Sequence, residues 1–362
     1  MMRKNTRRQD LSYRMITFWR ARVRNTSVTW YVARRFLALA PQLLAISVFT
    51  FLLVRFLPGD PAKILLGPHQ SPAGVQSLRQ QMGLDKPLIE QYVIYLENLY
   101  RGDMGRSWFT GEPVLNELLR RAPATMELVF YSMLVAIFLG LTCGLYASIG
   151  RKSVFQRTAS LYIRFAGSLP DFFVALFAIY LFYFLLDWVP APIGRMGPSG
   201  EAVVWVTGFL TIDTLIEGRF DLFYVALRHL TLPVLTLGFV LAPMVGKVTR
   251  AATDDARTAE FIRYARACGL RETTILFDIV RAALPPIVTL CGILFAYLLG
   301  GAVLMEKVFS WGGVGQYAVQ AILNSDYAAI QGFVLLTASF TMAVYLIVDL
   351  INVAIDPRVS LD

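Results

Sequence analysis

The sequence predicts an all-α, polytopic membrane protein with six transmembrane helices, and three observations lead there. Of its 362 residues 56% are hydrophobic and only 16% charged, a ratio that cannot coat an ordinary soluble domain. The apolar residues fall in blocks about as long as a bilayer core is thick. The alternating ten-residue segments of a spanning barrel do not occur. That leaves the helix as the one open-ended element that satisfies its own backbone N–H and C=O groups in hydrocarbon.

Six windows qualify in order: residues 36–57, 128–149, 165–186, 230–246, 286–305 and 328–348. The first follows a basic arm, residues 1–35, that holds ten Lys or Arg. It is longer than a signal-peptide core and runs into Pro58-Gly59-Asp60-Pro61 without a small-residue cleavage site, so it reads as an uncleaved first helix. The net charge of +9 lies mostly beside apolar blocks, where basic residues orient a chain in a bilayer rather than bind nucleic acid. With the amino terminus inside, segments 1–35, 150–164, 247–285 and 356–362 hold 22 Lys or Arg against 12 on the other side. Eight of those twelve sit in one long loop, which carries little topological weight. Both termini are therefore expected in the cytoplasm, with one six-helix domain over residues 36–355 and a tail over 356–362. Gly140, Gly144, Gly292, Gly300 and Gly301 are read as sites of close helix packing ahead of any pathway role.

The outer loop, 58–127, carries structure of its own. Asp85-Lys86-Pro87 reads as an N-cap and first-turn proline, and residues 88–100 have helical apolar spacing that ends at Gly102-Asp103-Met104-Gly105. Thr110-Gly111-Glu112-Pro113 opens a second short helix, Val114 to Arg121, leading into the second span. A cap on the membrane surface and a docking surface both fit this loop.

Reactive chemistry is missing. No GxxxxGK[ST] phosphate loop occurs, and Gly313-Val314-Gly315 lacks the third glycine and preceding strand of a dinucleotide site. Three scattered cysteines without CxxC spacing and two histidines offer neither a disulfide frame nor a metal site. No catalytic or cofactor residue is assigned. Asp171 and Asp349 are placed near the cytoplasmic ends of spans three and six, where interfacial positions suit them. Asp171 has a second reading: Ser168-Leu169-Pro170-Asp171 interrupts its helix, and the break either is a plain kink or exposes a polar group to a pathway.

The cytoplasmic segment 247–285 is far longer than an ordinary connection between helices. At 100° per residue Phe261, Tyr264, Ala265 and Cys268 share one face while Arg263 and Arg266 point away, and Gly269 ends the helix with a residue suited to a left-handed cap. A second stripe, Ile275, Ile279 and Ala283, then runs to Pro285-Pro286. A pair of helices lying on lipid headgroups and a handle for a cytoplasmic partner fit this pattern equally.

Arg263-Tyr264-Ala265-Arg266-Ala267-Cys268-Gly269-Leu270, with Ile279 ten residues beyond the glycine and then Pro285, resembles the EAA loop of ABC-importer permease subunits. Arg263-Tyr264-Ala265 stands where that family often has Glu-Ala-Ala, and the arm from Met1 to Trp30 is longer than usual. Further motifs resemble the dipeptide/oligopeptide/nickel permease family, B-type subunit. These are Arg55 to Pro61, Met82 to Pro87, Arg101 to Gly105, Pro123 to Leu128, His229 to Pro233 and Phe309-Ser310-Trp311.

The resemblance implies a multi-pass permease of the bacterial inner membrane that forms the path for a peptide with a homologous second permease subunit. Two cytoplasmic ATPases would carry ATP and Mg, and an extracytoplasmic solute-binding protein would deliver cargo. It implies that Glu260, Phe261, Arg263, Tyr264, Ala265, Arg266, Ala267, Gly269 and Ile279 couple the chain to the ATPases. The rivals are the same machine carrying nickel, oligosaccharide or another solute, a secondary transporter working alone, and a membrane scaffold. Charge-poor spans and the lack of a visible inverted repeat count against the lone transporter.

Overall fold

The computed structural model describes residues 25–56, 63, 66, 71–81, 83–149, 154–197 and 203–355. Pro58-Gly59-Asp60-Pro61, Met82, most of the basic arm and the tail lie outside them. Helix is the main element of the described residues, among which one isolated antiparallel bridge joins Arg106 and Pro113. The principal helices are α1 (Asn25–Phe56), α2 (Pro72–Gln81), α3 (Leu88–Tyr100), α4 (Val114–Ile149), α5 (Val154–Phe165) and α6 (Asp171–Ala178). They continue with α7 (Leu210–Ile216), α8 (Phe220–Thr258), α9 (Glu260–Ala267), α10 (Glu272–Gly301), α11 (Val303–Val308), α12 (Val314–Leu323) and α13 (Tyr327–Ile355).

Four of these, α4, α8, α10 and α13, are long and apolar enough to cross a bilayer, and the bent pair 154–168 and 171–185 makes a fifth if taken as one span. The first window lies in α1, whose apolar stretch Leu37–Leu52 is shorter than a full crossing and whose helix starts at Asn25, inside the basic arm.

Several boundaries differ from the sequence reading, and prolines explain most of them. Val114–Arg121 is not a separate helix: α4 runs 36 residues straight through Pro123 into the second span. α8 is 39 residues long and contains Pro233 and Pro243, so residues 247–258 continue the span instead of beginning a loop. Pro285 and Pro286 do not end the second cytoplasmic stripe, because α10 passes through both from Glu272. Neighbouring helices support such interior prolines, which a short isolated helix would not tolerate. The N-cap of α3 is Pro87 rather than Asp85, and the Gln91 amide donates to the Lys86 carbonyl at 2.7 Å. The third window is not one straight helix: α5, a 3₁₀ turn at Ala166–Ser168 and extended Leu169-Pro170 precede α6, after which Ile179–Leu185 widens to the π form.

α8 is the central post. It packs along α4 through positions without side chains: a Cβ on Gly140 would stand 2.7 Å from the Ala242 carbonyl, and one on Gly144 would stand 2.7 Å from that of Gly246. Gly292 similarly abuts Val348 on α13, whereas Gly300 has open space around it and packs against nothing within 4 Å. The core fills around this crossing with Leu128, Ala136, Leu237, Leu241, Val245, Leu298 and Met305.

Buried carboxylates lock the end of the bundle away from α9. Glu306 on α11 accepts a short bond from Thr125 on α4 and the Gln316 N–H at 2.8 Å, while Val314 N–H donates to Thr125 at 3.0 Å. Glu127 takes the N–H and hydroxyl of Thr211 at 2.9 and 2.7 Å and pairs with Arg195. The Trp311 indole donates to the Ala124 carbonyl at 2.8 Å. The motifs Pro123 to Leu128 and Phe309 to Trp311 thus meet in space.

Replacing Gly140 with Val forces α4 and α8 apart or drives a methyl group into Val245. The expected cost is about 1–3 kcal/mol, read as a lowered melting temperature of the detergent-purified protein, with Gly300→Val as the tolerated control.

Candidate functional site

The extensions of α8 and α10 beyond their apolar runs form a stalk. Beyond Lys247, the first charge after the apolar run, α8 continues for eleven residues, about 17 Å at 1.5 Å per residue. At its tip sits α9. The helix ends in a Schellman turn: Leu270 N–H donates to the Ala265 carbonyl at 3.2 Å and Gly269 N–H to that of Arg266 at 2.9 Å, with Gly269 at φ +72°. Nothing lies within 4 Å of where a Gly269 side chain would be, so the glycine serves the backbone angle and not a close contact.

The apolar residues of α9 divide between two faces. Ile262 is fully buried, packed with Ala256 of α8 and with Ile275 and Ile279 of α10, and Ala265 borders the cluster. Phe261 and Tyr264 face outward, 50% and 73% exposed, beside exposed Cys268. The Cys268 thiol holds the Tyr264 phenol above its ordinary value near 10, so this face is uncharged at neutral pH. Around it stand the exposed side chains of Glu260, Arg263, Ala267 and Arg266, the last 3.6 Å from Glu272 across the turn. The result is an apolar pair of rings inside a charged rim.

Ile279, which the resemblance counts among the coupling residues, lies on the inner stripe with Ile275 and anchors the helix from inside. Sequence reasoning passed over Ile262, although its three-residue spacing to Ala265 marks a second apolar arc on the helical wheel.

Asp171 lies where the sequence reading put the interruption, at the break between helical segments 154–168 and 171–185, which meet at 107°. Partly buried, it accepts the Phe172 N–H at 2.8 Å. Among the described residues no group of three or more His, Cys, Asp or Glu is placed to hold a metal ion.

Residues 136–361 match the model of the family described as binding-protein-dependent transport system inner membrane component, and residues 28–129 match its N-terminal companion. The chain belongs to this family. It is therefore a permease subunit, a transport component of a multi-pass membrane protein class. It is 34% identical to a dipeptide transport system permease protein of Alkalihalophilus pseudofirmus, over 91% of this chain and 99% of that one. A probable D,D-dipeptide transport system permease protein of Escherichia coli K12 is 39% identical over 87% and 93%. A glutathione transport system permease protein of Shigella flexneri is 35% identical over 91% and 98%.

Ile262→Ala removes the plug between α9 and the stalk. The expected destabilisation is about 2–5 kcal/mol, confined to the loop. Hydrogen exchange should quicken in residues 260–270 while the α4–α8 crossing keeps its protection.

Proposed function

We propose that this permease is the membrane subunit of an ATP-driven importer of di- and oligopeptides in the bacterial inner membrane. It crosses six times with both termini in the cytoplasm and forms the path with a homologous second permease. An extracytoplasmic binding protein delivers peptide, and two cytoplasmic ATPases supply ATP hydrolysis through α9. The observation that carries this reading is the uncharged face of Phe261 and Tyr264 held about 17 Å beyond the apolar run on two continuous helices. A helix meant to float on lipid has no need of a buried anchor such as Ile262 or a rigid stalk. The dipeptide permeases among its relatives support the cargo class.

In this arrangement ATP-driven closure of the ATPases pushes α9, and the stalk carries the displacement into α8 and α10. The chain's own task is mechanical, so it needs no nucleotide site. Phe261 is the anchor in an ATPase groove, Tyr264 extends the contact, and Arg263, Arg266 and Glu260 set the rim. Gly269 fixes the angle at which the helix is presented.

Phe261→Ala is expected to cost about 2 kcal/mol or more of ATPase binding, seen as lost co-purification. Gly269→Val strains the left-handed turn by about 1–2 kcal/mol and should lower peptide uptake with less effect on assembly. Normal uptake in both variants would remove α9 from coupling.

For the topology, reporters fused after Lys152 or Asp255 should read cytoplasm and one after Gly105 the opposite side. A cytoplasmic signal at Gly105 would invert the map.

A further inference from the structure

α1 is held along only half of its apolar stretch. At the end away from α9, Phe51 is buried, Ser47 meets the Tyr92 hydroxyl at 2.8 Å, and the Gln331 amide of α13 donates to the Thr50 carbonyl at 3.5 Å. Nearer the start of α1, Ala40, Pro41, Gln42, Leu44 and Ala45 are exposed. A cavity of about 260 Å³ opens there, where Ala38, Leu39 and Gln42 of α1 face Met342, Tyr345, Leu346 and Asp349 of α13. Asn352, three residues beyond Asp349, donates to Thr289 at 2.9 Å, close to where the apolar run of α10 begins at Pro286. The Asp349 end of the cavity therefore lies toward the stalk.

The lining changes character along this slot. Thr50 meets Gln331 while residues 38–42 meet residues 342–349, so α1 and α13 run antiparallel. Arg34, Ala38 and Gln42 follow one another at four-residue spacing, about 6 Å apart on α1, and Asp349 to Met342 spans about 10 Å of α13. Exposed Arg34 and Asp349 thus stand toward the mouth, and Gln42 and Met342 toward the inner end. Gln42 and Tyr345 bring an amide and a phenol within the apolar runs, and among the described residues neither has a hydrogen-bond partner. In hydrocarbon such groups require one. Beyond Gln42 on the same face of α1, Ala45 and Phe49 are exposed.

A fully water-soluble ligand does not suit a slot whose inner end runs onto Ala45 and Phe49, and a bare acyl chain leaves Gln42 and Tyr345 unmatched. A phospholipid matches every part. Pockets between spanning helices at the level of the headgroups are where lipids are recognised. Arg34 draws a phosphate, whereas Asp349 repels a headgroup that is only anionic and favours one that also carries an ammonium group. An ethanolamine ammonium donates hydrogen bonds to a carboxylate, which a quaternary choline cannot do.

We propose that this cavity holds one phospholipid with an ethanolamine headgroup, its ammonium at Asp349, its phosphate at Arg34 and its ester oxygens at Gln42 and Tyr345. Leu39, Leu346 and Met342 enclose the start of the acyl chains, which leave along Ala45 and Phe49. Bound there, the lipid fills the space between α1 and α13 and joins the exposed half of α1 to the bundle. The site is independent of the cargo and of ATPase coupling, and it requires only that both helices lie in the bilayer.

The full chain, with whatever subunits it retains on purification, should be placed in nanodiscs of phosphatidylethanolamine, phosphatidylcholine and phosphatidylglycerol in equal parts. Lipid that stays bound after re-extraction into a mild detergent is then counted by native mass spectrometry. The wild type should retain phosphatidylethanolamine, enriched on the order of tenfold over the other two, equivalent to about 1.4 kcal/mol. Asp349→Asn, of nearly the same shape, should lose the preference over phosphatidylcholine, and Ala38→Phe should fill the slot and release the lipid. Benzoylphenylalanine in place of Leu39 should cross-link to lipid on irradiation. Equal retention of the three lipids by the wild type would overturn the site, as would a preference for phosphatidylglycerol, which would assign binding to the basic arm. An unchanged preference in Asp349→Asn would also overturn it, and so would a cross-link from position 39 to a protein chain. Where Ala38→Phe assembles and keeps the lipid, the proposal falls; where it does not assemble, Asp349→Asn and the cross-link decide.

Discussion

Backbone contact between α4 and α8 is the constraint on which the remaining architecture depends. Lipid tails are as apolar as leucine, so helices in a bilayer gain little by hiding apolar faces from it, and close packing and hydrogen bonds must hold them together. Gly140 and Gly144 let α4 approach the carbonyls of Ala242 and Gly246, closer than any side chain permits. The same two helices remain paired past the apolar run. Ser148 donates to Asp254 at 2.5 Å, and Arg257 reaches the Ser148 carbonyl. One rigid pair therefore extends from the buried carboxylates to the base of α9, and it fixes where Ala256 stands to receive Ile262.

The end of the bundle away from α9 applies the same economy of polar groups differently. α12 begins against protein, so its first N–H groups need acceptors, and Thr125 and Glu306 provide them. Glu127 is nearly inaccessible, yet its three donors on Thr211 and Arg195 offset the desolvation that a buried charge incurs. Arg195 belongs to the loop after the third span and also reaches the Gly208 carbonyl at 3.1 Å, so this pair ties that loop to α4. The motif Pro123 to Leu128 is thus a set of acceptors facing inward.

Much of the fold was legible in the sequence because a bilayer permits few solutions. Long apolar windows, the amphipathic α3 and the glycine-ended α9 all follow from spacing and composition, which act locally. The boundaries were less legible. Pro123 and Pro285 look like stops in isolation, and only packing against neighbours allows a helix to run through them. The outward face of α9 was readable from Phe261 and Tyr264, but which apolar arc turns inward depends on Ile275 and Ile279 arriving from another helix. Sequence also identified the interruption at Pro170 without its neighbours, since the contact of Gly167 with Pro243 is tertiary.

The two regions of unequal rigidity then acquire related roles. α9 cannot shift without moving Ile262 against both stalk helices, so force applied at Phe261 enters α8 and α10 together. α8 in turn packs against both halves of the bent pair: Phe239 accepts the Tyr162 hydroxyl at 2.6 Å, Gly246 faces Ile163 and Pro243 faces Gly167 before the break at Leu169-Pro170, and α6 lies against α8 after it. The half from Asp171 onward also packs Ala175 and Ala178 into the core with Met305 and Phe309. Because Leu169 and Pro170 carry no continuous helical hydrogen bonding, a difference in displacement between the two halves is taken up there.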